Sequence, residues 1–218
     1  MIKNILAAAA FGVAAMGAHA STNLQTDGDF ETTGQSFASS SYCYPNYSGA
    51  QCGGAISGWS ATGDVVFLTS GSAPWGDPAA QSHAGIDLGD VVAGVQRTAA
   101  LTSDFQFTKN QEYLVSWVST GRSNNGTAQS YTVSAGGVTD PVTITTQANG
   151  WETYSFEFVA SDTSPLTFTG LSGEPGNVGD RTSFIDNVSI TTVPEPTSLL
   201  MMAVATLGLL AWRRRAQV

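Results

Sequence analysis

WETYSFEFVA, residues 151–160, alternates with a period of two: Tyr154, Phe156 and Phe158 fall on one face, and Thr153, Ser155 and Glu157 on the other. This is the pattern of a strand with one face in a core and the other in water. Outward from it, short apolar–polar alternations recur between residues 21 and 193, separated by Gly, Asn, Asp and Pro, with almost no helical periodicity. The spacing predicts strands at 63–69, 91–101, 111–119, 128–135, 141–147, 151–160, 165–171 and 183–192. YLVSWVS (113–119) is apolar on both faces, as a central sandwich strand should be. SNNG at 123–126 reads as a hairpin turn, because Asn-Gly supplies the positive φ angles a tight turn demands. Strands so spaced predict an all-β fold, an antiparallel β-sandwich of the jelly-roll kind.

The two ends differ from this body. Residues 1–20 combine Lys3, an apolar stretch from Ile5 to Ala18, and a small-x-small site at Ala18-His19-Ala20. These are the parts of a secretion signal cleaved after Ala20. At the other end, Pro194-Glu195-Pro196 precedes an apolar run from Leu199 to Trp212 and then Arg213-Arg214-Arg215. As a helix, 199–212 would span about 21 Å, short of the roughly 30 Å hydrocarbon core, so it is a marginal inner-membrane span. The arginines should hold its end on the cytoplasmic side. The expected organisation is a signal peptide at 1–20, one β-sandwich domain at 21–193 and a sorting tail at 194–218.

Without its ends the chain is strongly acidic. Four cations, Arg97, Lys109, Arg122 and Arg181, face 16 carboxylates between 21 and 193, a net charge of −12. Such a surface repels a phosphate backbone and argues against nucleic acid as a partner. It suits a divalent cation or a neutral ligand such as sugar. Cys43 and Cys52 lie in one Gly/Ser-rich, aromatic segment and, in an exported chain, are expected to pair. Closing a loop of about ten residues is worth on the order of 2–3 kcal/mol.

In FIDNVSI, simple alternation puts Phe184, Asp186, Val188 and Ile190 on one face. A carboxylate in an apolar row is costly unless neutralised. A bound Ca²⁺ is one solution, since hard oxygen ligands suit it; backbone amides or Arg181 are others. Glu31 would meet Asp186 if the first and last strands are neighbours, and Asp29, in the same opening run, is a third candidate ligand. For a sugar, Trp75 is the best candidate platform, followed by Tyr44 and its neighbours Tyr42 and Tyr47, because a pyranose has an apolar face and a polar rim. Asp87, Arg122 and His83 are candidate polar contacts, whereas Trp59, Trp117 and Trp151 read as core. Catalysis finds little support. After signal cleavage His83 is the only histidine, and no Gly-x-Ser-x-Gly elbow, zinc spacing or nucleotide fingerprint is present. Glu152 and Glu157 fall on opposite faces of one strand and make a poor glycosidase pair. The expectation is a non-catalytic protein; a secreted glycan hydrolase is the weaker alternative.

Two resemblances extend this reading. VPEPTSLLMMAVATLGLLAWRRR (193–215) resembles the PEP-CTERM sorting signal of Gram-negative bacteria that make exopolysaccharide. The resemblance implies processing near Pro-Glu-Pro by an exosortase, a membrane peptidase. GDFE (28–31), Gly58-Trp59, SHAGIDLGD (82–90), GVQRT (94–98), WETYSFEF and FIDNVSI together resemble galactose-binding-like jelly rolls, especially the family known as domain of unknown function 642. More distantly they are similar to carbohydrate-binding modules that open with Asn-Gly-Asp-Phe-Glu. That resemblance implies polysaccharide as the partner and a structural calcium held by the opening Glu and closing Asp, here Glu31 and Asp186. Asp27 stands where the usual opening has Asn. The expected protein is exported to the cell envelope, cell surface or matrix, and binds polysaccharide or serves as a structural matrix protein or adhesin.

Overall fold

In the computed structural model, residues 22–31, 41–46, 52, 57–69, 91–96, 98–122, 129–138, 142–146, 150–171 and 182–193 are described. They form eleven strands: β1 Tyr42–Cys43, β2 Trp59–Thr62, β3 Val65–Thr69, β4 Val91–Val95, β5 Ala100–Ser103, β6 Glu112–Gly121, β7 Gln129–Ser134, β8 Val142–Thr146, β9 Glu152–Val159, β10 Thr167–Gly170 and β11 Ser183–Thr192. Every pairing is antiparallel. One sheet has the order β1-β3-β4-β11-β6-β9 and the other β2-β5-β10-β7-β8. The all-β sandwich is as the alternation predicted.

The apolar faces explain the layering. β9 keeps the predicted split, with Tyr154, Phe156 and Phe158 half-buried and Thr153, Ser155 and Glu157 exposed. From the six-stranded sheet, Phe67, Ala93, Tyr113, Val115, Trp117 and Ile185 enter the core; from the other, Trp59, Leu101, Tyr131, Val133 and Phe168 meet them. A second cluster of Val66, Leu68, Val92, Val118, Trp151 and Phe184 lies on the outer face of the six-stranded sheet, with Tyr42 and Tyr44 packed against it. β3 and β4 are therefore buried on both faces, which explains their unbroken apolar sequence.

Four expectations need correction. The predicted strand 91–101 is two strands, β4 and β5, in different sheets. Between them Ala99 N–H donates to the Gln96 carbonyl at 3.1 Å and Thr98 takes a φ of 56°. The SNNG turn lies outside the described residues; the strands on either side of it, β6 and β7, do not pair as a hairpin but belong to opposite sheets. YLVSWVS is buried on both faces only in its second half; Leu114 points outward and is 37% exposed. Finally, the apolar row of β11 is interrupted. A β-bulge between Asp186 and Ser189, with Asn187 at φ 49°, reverses the alternation. Phe184 joins the outer cluster, whereas Val188 and Ile190 join the inner core. Asp186 stands opposite Val118, on the outer face.

The bulge also changes β11's partner. Up to Ile185 that edge pairs with β4. Beyond the bulge residues 23–28 take over. Val188 N–H donates to the Gly28 carbonyl (2.8 Å), Leu24 N–H to the Ile190 carbonyl (2.8 Å), and Ile190 N–H to Asn23 Oδ1 (2.9 Å). Buried backbone groups must find partners, and two separate segments share the task here.

A buried polar relay ties the sheets together. Trp117 Nε1 donates to the Tyr131 hydroxyl at 2.7 Å, Ser119 is the second partner of that phenol, and Ser119 Oγ donates to the Phe184 carbonyl at 2.7 Å. Burial pushes the Tyr131 pKa up to about 12, against the lowering effect of both partners. Because the folded state holds this proton more tightly than the unfolded chain, its contribution is complete below pH 10. As pH rises from 10 to 12 the unfolded chain ionises first, and stability falls by up to about 1.4 kcal/mol per pH unit. Tyr131→Phe should lower stability at pH 7 by roughly 1–3 kcal/mol, by stranding the Trp117 N–H, and should flatten the alkaline decline. Equal slopes for both proteins in chemical denaturation between pH 10 and 12 would rule this out.

Candidate functional site

The carboxylates proposed as metal ligands come from two segments. Asp186 is 0% exposed, and its Oδ1 accepts the Asn187 N–H at 2.6 Å. Glu31 is exposed, yet its Oε1 accepts the Val91 N–H at 2.8 Å, the first amide of β4. The β4–β11 pairing ends with Ile185 across from Ala93, so Asp186 follows its last paired residue on β11, and Val91, whose amide Glu31 holds, lies two residues before Ala93 on β4. The first and last segments are neighbours through the bonds of residues 23–28 to β11, the condition on which a meeting of Glu31 and Asp186 depended. Asp29 is exposed, and its Oδ1 accepts the Glu31 N–H at 3.5 Å. Among the described residues no three His, Cys, Asp or Glu side chains converge on one point.

Asp29 lines an open polar depression of about 420 Å³ at the bulge. Asn23, Gln25, Asp27 and Asp29 form one wall, and Asn187 and Ser189 the other. Neither Glu31 nor Asp186 lines it. Sequence reading missed this depression, because its walls meet only where β11 exchanges β4 for the N-terminal segment. The one available signal was Asn187, a residue type that tolerates the left-handed conformation of a bulge.

The disulfide forms as expected between Cys43 and Cys52. It holds Tyr44, whose carbonyl accepts the Cys52 N–H at 3.1 Å. Tyr42 and Tyr44 meet edge-to-face with ring centroids 6.0 Å apart, and both are half-buried. Asn46 Nδ2 reaches across to the Ala61 carbonyl at 2.7 Å, bracing the same loop. Arg122, at the end of β6, has its backbone held on both sides by the Gln129 side chain: its N–H donates to Oε1 (2.9 Å), and its carbonyl accepts from Nε2 (3.2 Å). Trp59, Trp117 and Trp151 are core, as read from the sequence. Trp75, His83, Asp87, Pro194, Glu195, Pro196 and Arg213–Arg215 lie outside the described residues.

β9 adds a polar pair. The Tyr154 hydroxyl donates to Glu152 Oε2 at 2.7 Å on the exposed surface, while Glu157 lies on the opposite face of the strand. Partial burial first, then the Glu152 carboxylate, raise the Tyr154 phenol above its ordinary pKa.

Comparison with known proteins places these features. No curated protein sequence matches the chain. Solved structures with a similar arrangement include the CBM22-1 xylan-binding domain of Paenibacillus barcinonensis Xyn10C, at 16% identity and a TM-score of 0.41, covering 64% of this chain and 88% of that one. A family 61 carbohydrate-binding module in complex with β-1,4-galactotriose has 16% identity and a TM-score of 0.44, covering 79% and 100%. The K1 cleaved adhesin domain of Lys-gingipain from Porphyromonas gingivalis has 15% identity and a TM-score of 0.45, covering 65% and 95%. At these values no property of theirs is carried to this chain. Two family models do match, the protein family of unknown function DUF642 over residues 23–190 and the PEP-CTERM protein-sorting motif over residues 192–215. The first match runs from the segment that docks on β11 to Ile190, within β11 itself, and on that extent the chain belongs to the DUF642 family.

Proposed function

We propose that this protein is an exported, non-catalytic polysaccharide-binding module of the cell envelope or extracellular matrix, processed at its sorting tail. The observation that carries the reading is the disulfide-braced tyrosine pair, Tyr42 and Tyr44, beside a sheet edge. Rings held rigidly and half-exposed offer an apolar surface to a pyranose at little cost in side-chain entropy. The acidic, cation-poor composition of the domain favours a neutral glycan over a polyanion. Trp75, His83, Asp87 and Arg122 complete the proposed contact set.

The mature protein on a glycan array should retain a limited set of glycans, and Tyr44→Ala or Trp75→Ala should weaken retention roughly tenfold, the equivalent of about 1.4 kcal/mol. Retention of no glycan by a folded protein would favour a structural matrix protein or adhesin. Release of reducing ends would favour a hydrolase.

The same reading includes a structural Ca²⁺ held by Glu31 and Asp186, with further oxygens from backbone carbonyls. It is supported by a fully buried carboxylate on an apolar sheet face and by the arrival of Glu31 at the same end of the β4–β11 pairing. A site saturated to a hundred times its Kd would add about 2.7 kcal/mol. Chelation should then lower Tm by roughly 5–10 °C. An unchanged Tm would remove calcium from the reading.

A further inference from the structure

Three of the four sheet edges are short: β1 has two residues, β2 four and β8 five. The fourth, β9, runs eight residues, pairs with β6 in unbroken register, and contains no proline, lysine or bulge. Long, regular edges of this kind are templates for another chain. The ladder fixes which backbone groups face outward. Ala160 N–H donates to the Gln111 carbonyl at 3.0 Å, whereas the Glu112 carbonyl turns the other way, to Val193. Even-numbered residues of β9 therefore bond to β6, and Thr153, Ser155, Glu157 and Val159 direct their N–H and C=O groups out of the sheet. None of these groups has a partner among the described residues. The side chains are also uncovered. Val159 is 58% exposed. Tyr154, Phe156 and Phe158 stay half-exposed although they face the core side. The reason is that β11 stacks on β7 and β6 on β8, the last strand of its sheet, which leaves β9 overhanging.

We propose that β9 pairs antiparallel with β9 of a second copy of this chain, Phe156 standing across from its counterpart, so that two six-stranded sheets become one. Such a contact is two-fold symmetric. Outward-facing backbone groups must meet each other, so odd residues pair with odd residues and the axis passes through a residue position. Centred on Phe156, Tyr154 stands across from Phe158, Thr153 from Val159 and Ser155 from Glu157. All three rings then meet rings, and exposed Val159 meets a β-branched neighbour. Centring on Ser155 would set Glu152 against Phe158, and centring on Glu157 would set two carboxylates face to face. Even in the favoured register the two Glu157 side chains lie on a diagonal, about 7–8 Å apart. Each domain also carries the net charge of −12, and a single strand pair is small beside the roughly 1,200–2,000 Å² of stable interfaces. The dimer is therefore concentration-dependent and strengthened by salt.

Sedimentation velocity on the exported protein, at concentrations up to roughly 1 mM, should show a monomer–dimer equilibrium that tightens several-fold as salt is raised. Hydrogen exchange locates the contact. The Ser155 and Glu157 amides should slow several-fold at high concentration, while those of Tyr154 and Phe156, already bonded to β6, stay unchanged. Glu157→Gln should tighten the dimer several-fold by removing the diagonal repulsion. Ser155→Pro deletes an N–H that β6 does not use, a change that edge strands tolerate, and should abolish the dimer with little change in Tm. A monomer throughout, with the outward amides still fast, overturns the proposal and leaves the edge to an extended peptide of another protein. A dimer in which those amides exchange as in the monomer overturns the surface. Weakening by Glu157→Gln overturns the register.

Discussion

Trp117→Ala should destabilise the protein by roughly 3–5 kcal/mol, the range for deleting a large buried aromatic, and lower Tm by on the order of 10 °C. Trp117 is 1% exposed at the centre of the sandwich. Its ring stacks on Tyr154 at 5.9 Å and meets Phe168 edge-on at 5.5 Å, so it joins β6 to β9 within one sheet and to β10 in the other. Its N–H also begins the relay through Tyr131. Trp117→Phe keeps most of the ring contacts and loses only the donor, so it should cost markedly less. If the alanine variant melts within about 3 °C of the parent, the packing account of the core is wrong.

Gly28→Ala should also have a large effect, through backbone rather than core. A Cβ at this position would overlap the Val188 carbonyl oxygen. That oxygen belongs to a central strand and cannot move aside, and the bond from Val188 N–H to the Gly28 carbonyl sits at the same point. The expected cost is about 1–3 kcal/mol, toward the upper end because no flexible atom absorbs the clash. Gly94→Ala is the control. There the nearest atoms are Val66 Cγ1 at 2.7 Å and Thr182 Cγ2 at 2.8 Å, both on buried β-branched side chains, so its cost is overpacking of side chains rather than a clash with strand backbone. Hydrogen exchange separates the two: Gly28→Ala should speed exchange at Leu24 and Val188 ahead of global unfolding. Unchanged protection at those amides would mean the N-terminal segment does not depend on the close approach.

These effects also show what the sequence could reveal. β9 was readable because one of its faces meets water, so alternation and burial coincide. The sheet change between β4 and β5 was hidden because Val95, Ala99 and Leu101 all serve the same core from opposite sheets, and apolar periodicity does not register which sheet a strand has joined. β1 and β2, of two and four residues, are too short to carry a period. The bulge at Asn187 cost the reading most. One inserted residue moves Asp186 away from the row of Val188 and Ile190, and a count of two cannot detect it. In the candidate site, Cys43–Cys52 and the meeting of the first and last segments were legible from residue type and order. The polar depression was not, because its walls are about 160 residues apart in sequence, and the Glu152–Tyr154 pair looked like two unrelated positions on a strand.

The placement of β11 bears on when the molecule can become itself. β4 and β6 are not neighbours; they are joined only through β11, the last strand of the chain, and the opening residues 23–28 also depend on it. Until residue 190 has been made and delivered, the larger sheet lies in two halves and the N-terminal segment has no dock. Long-range closure of this kind makes folding slow and late. In the exported protein proposed above, that order keeps the six-stranded sheet open until its central strand, the last of the chain, has arrived.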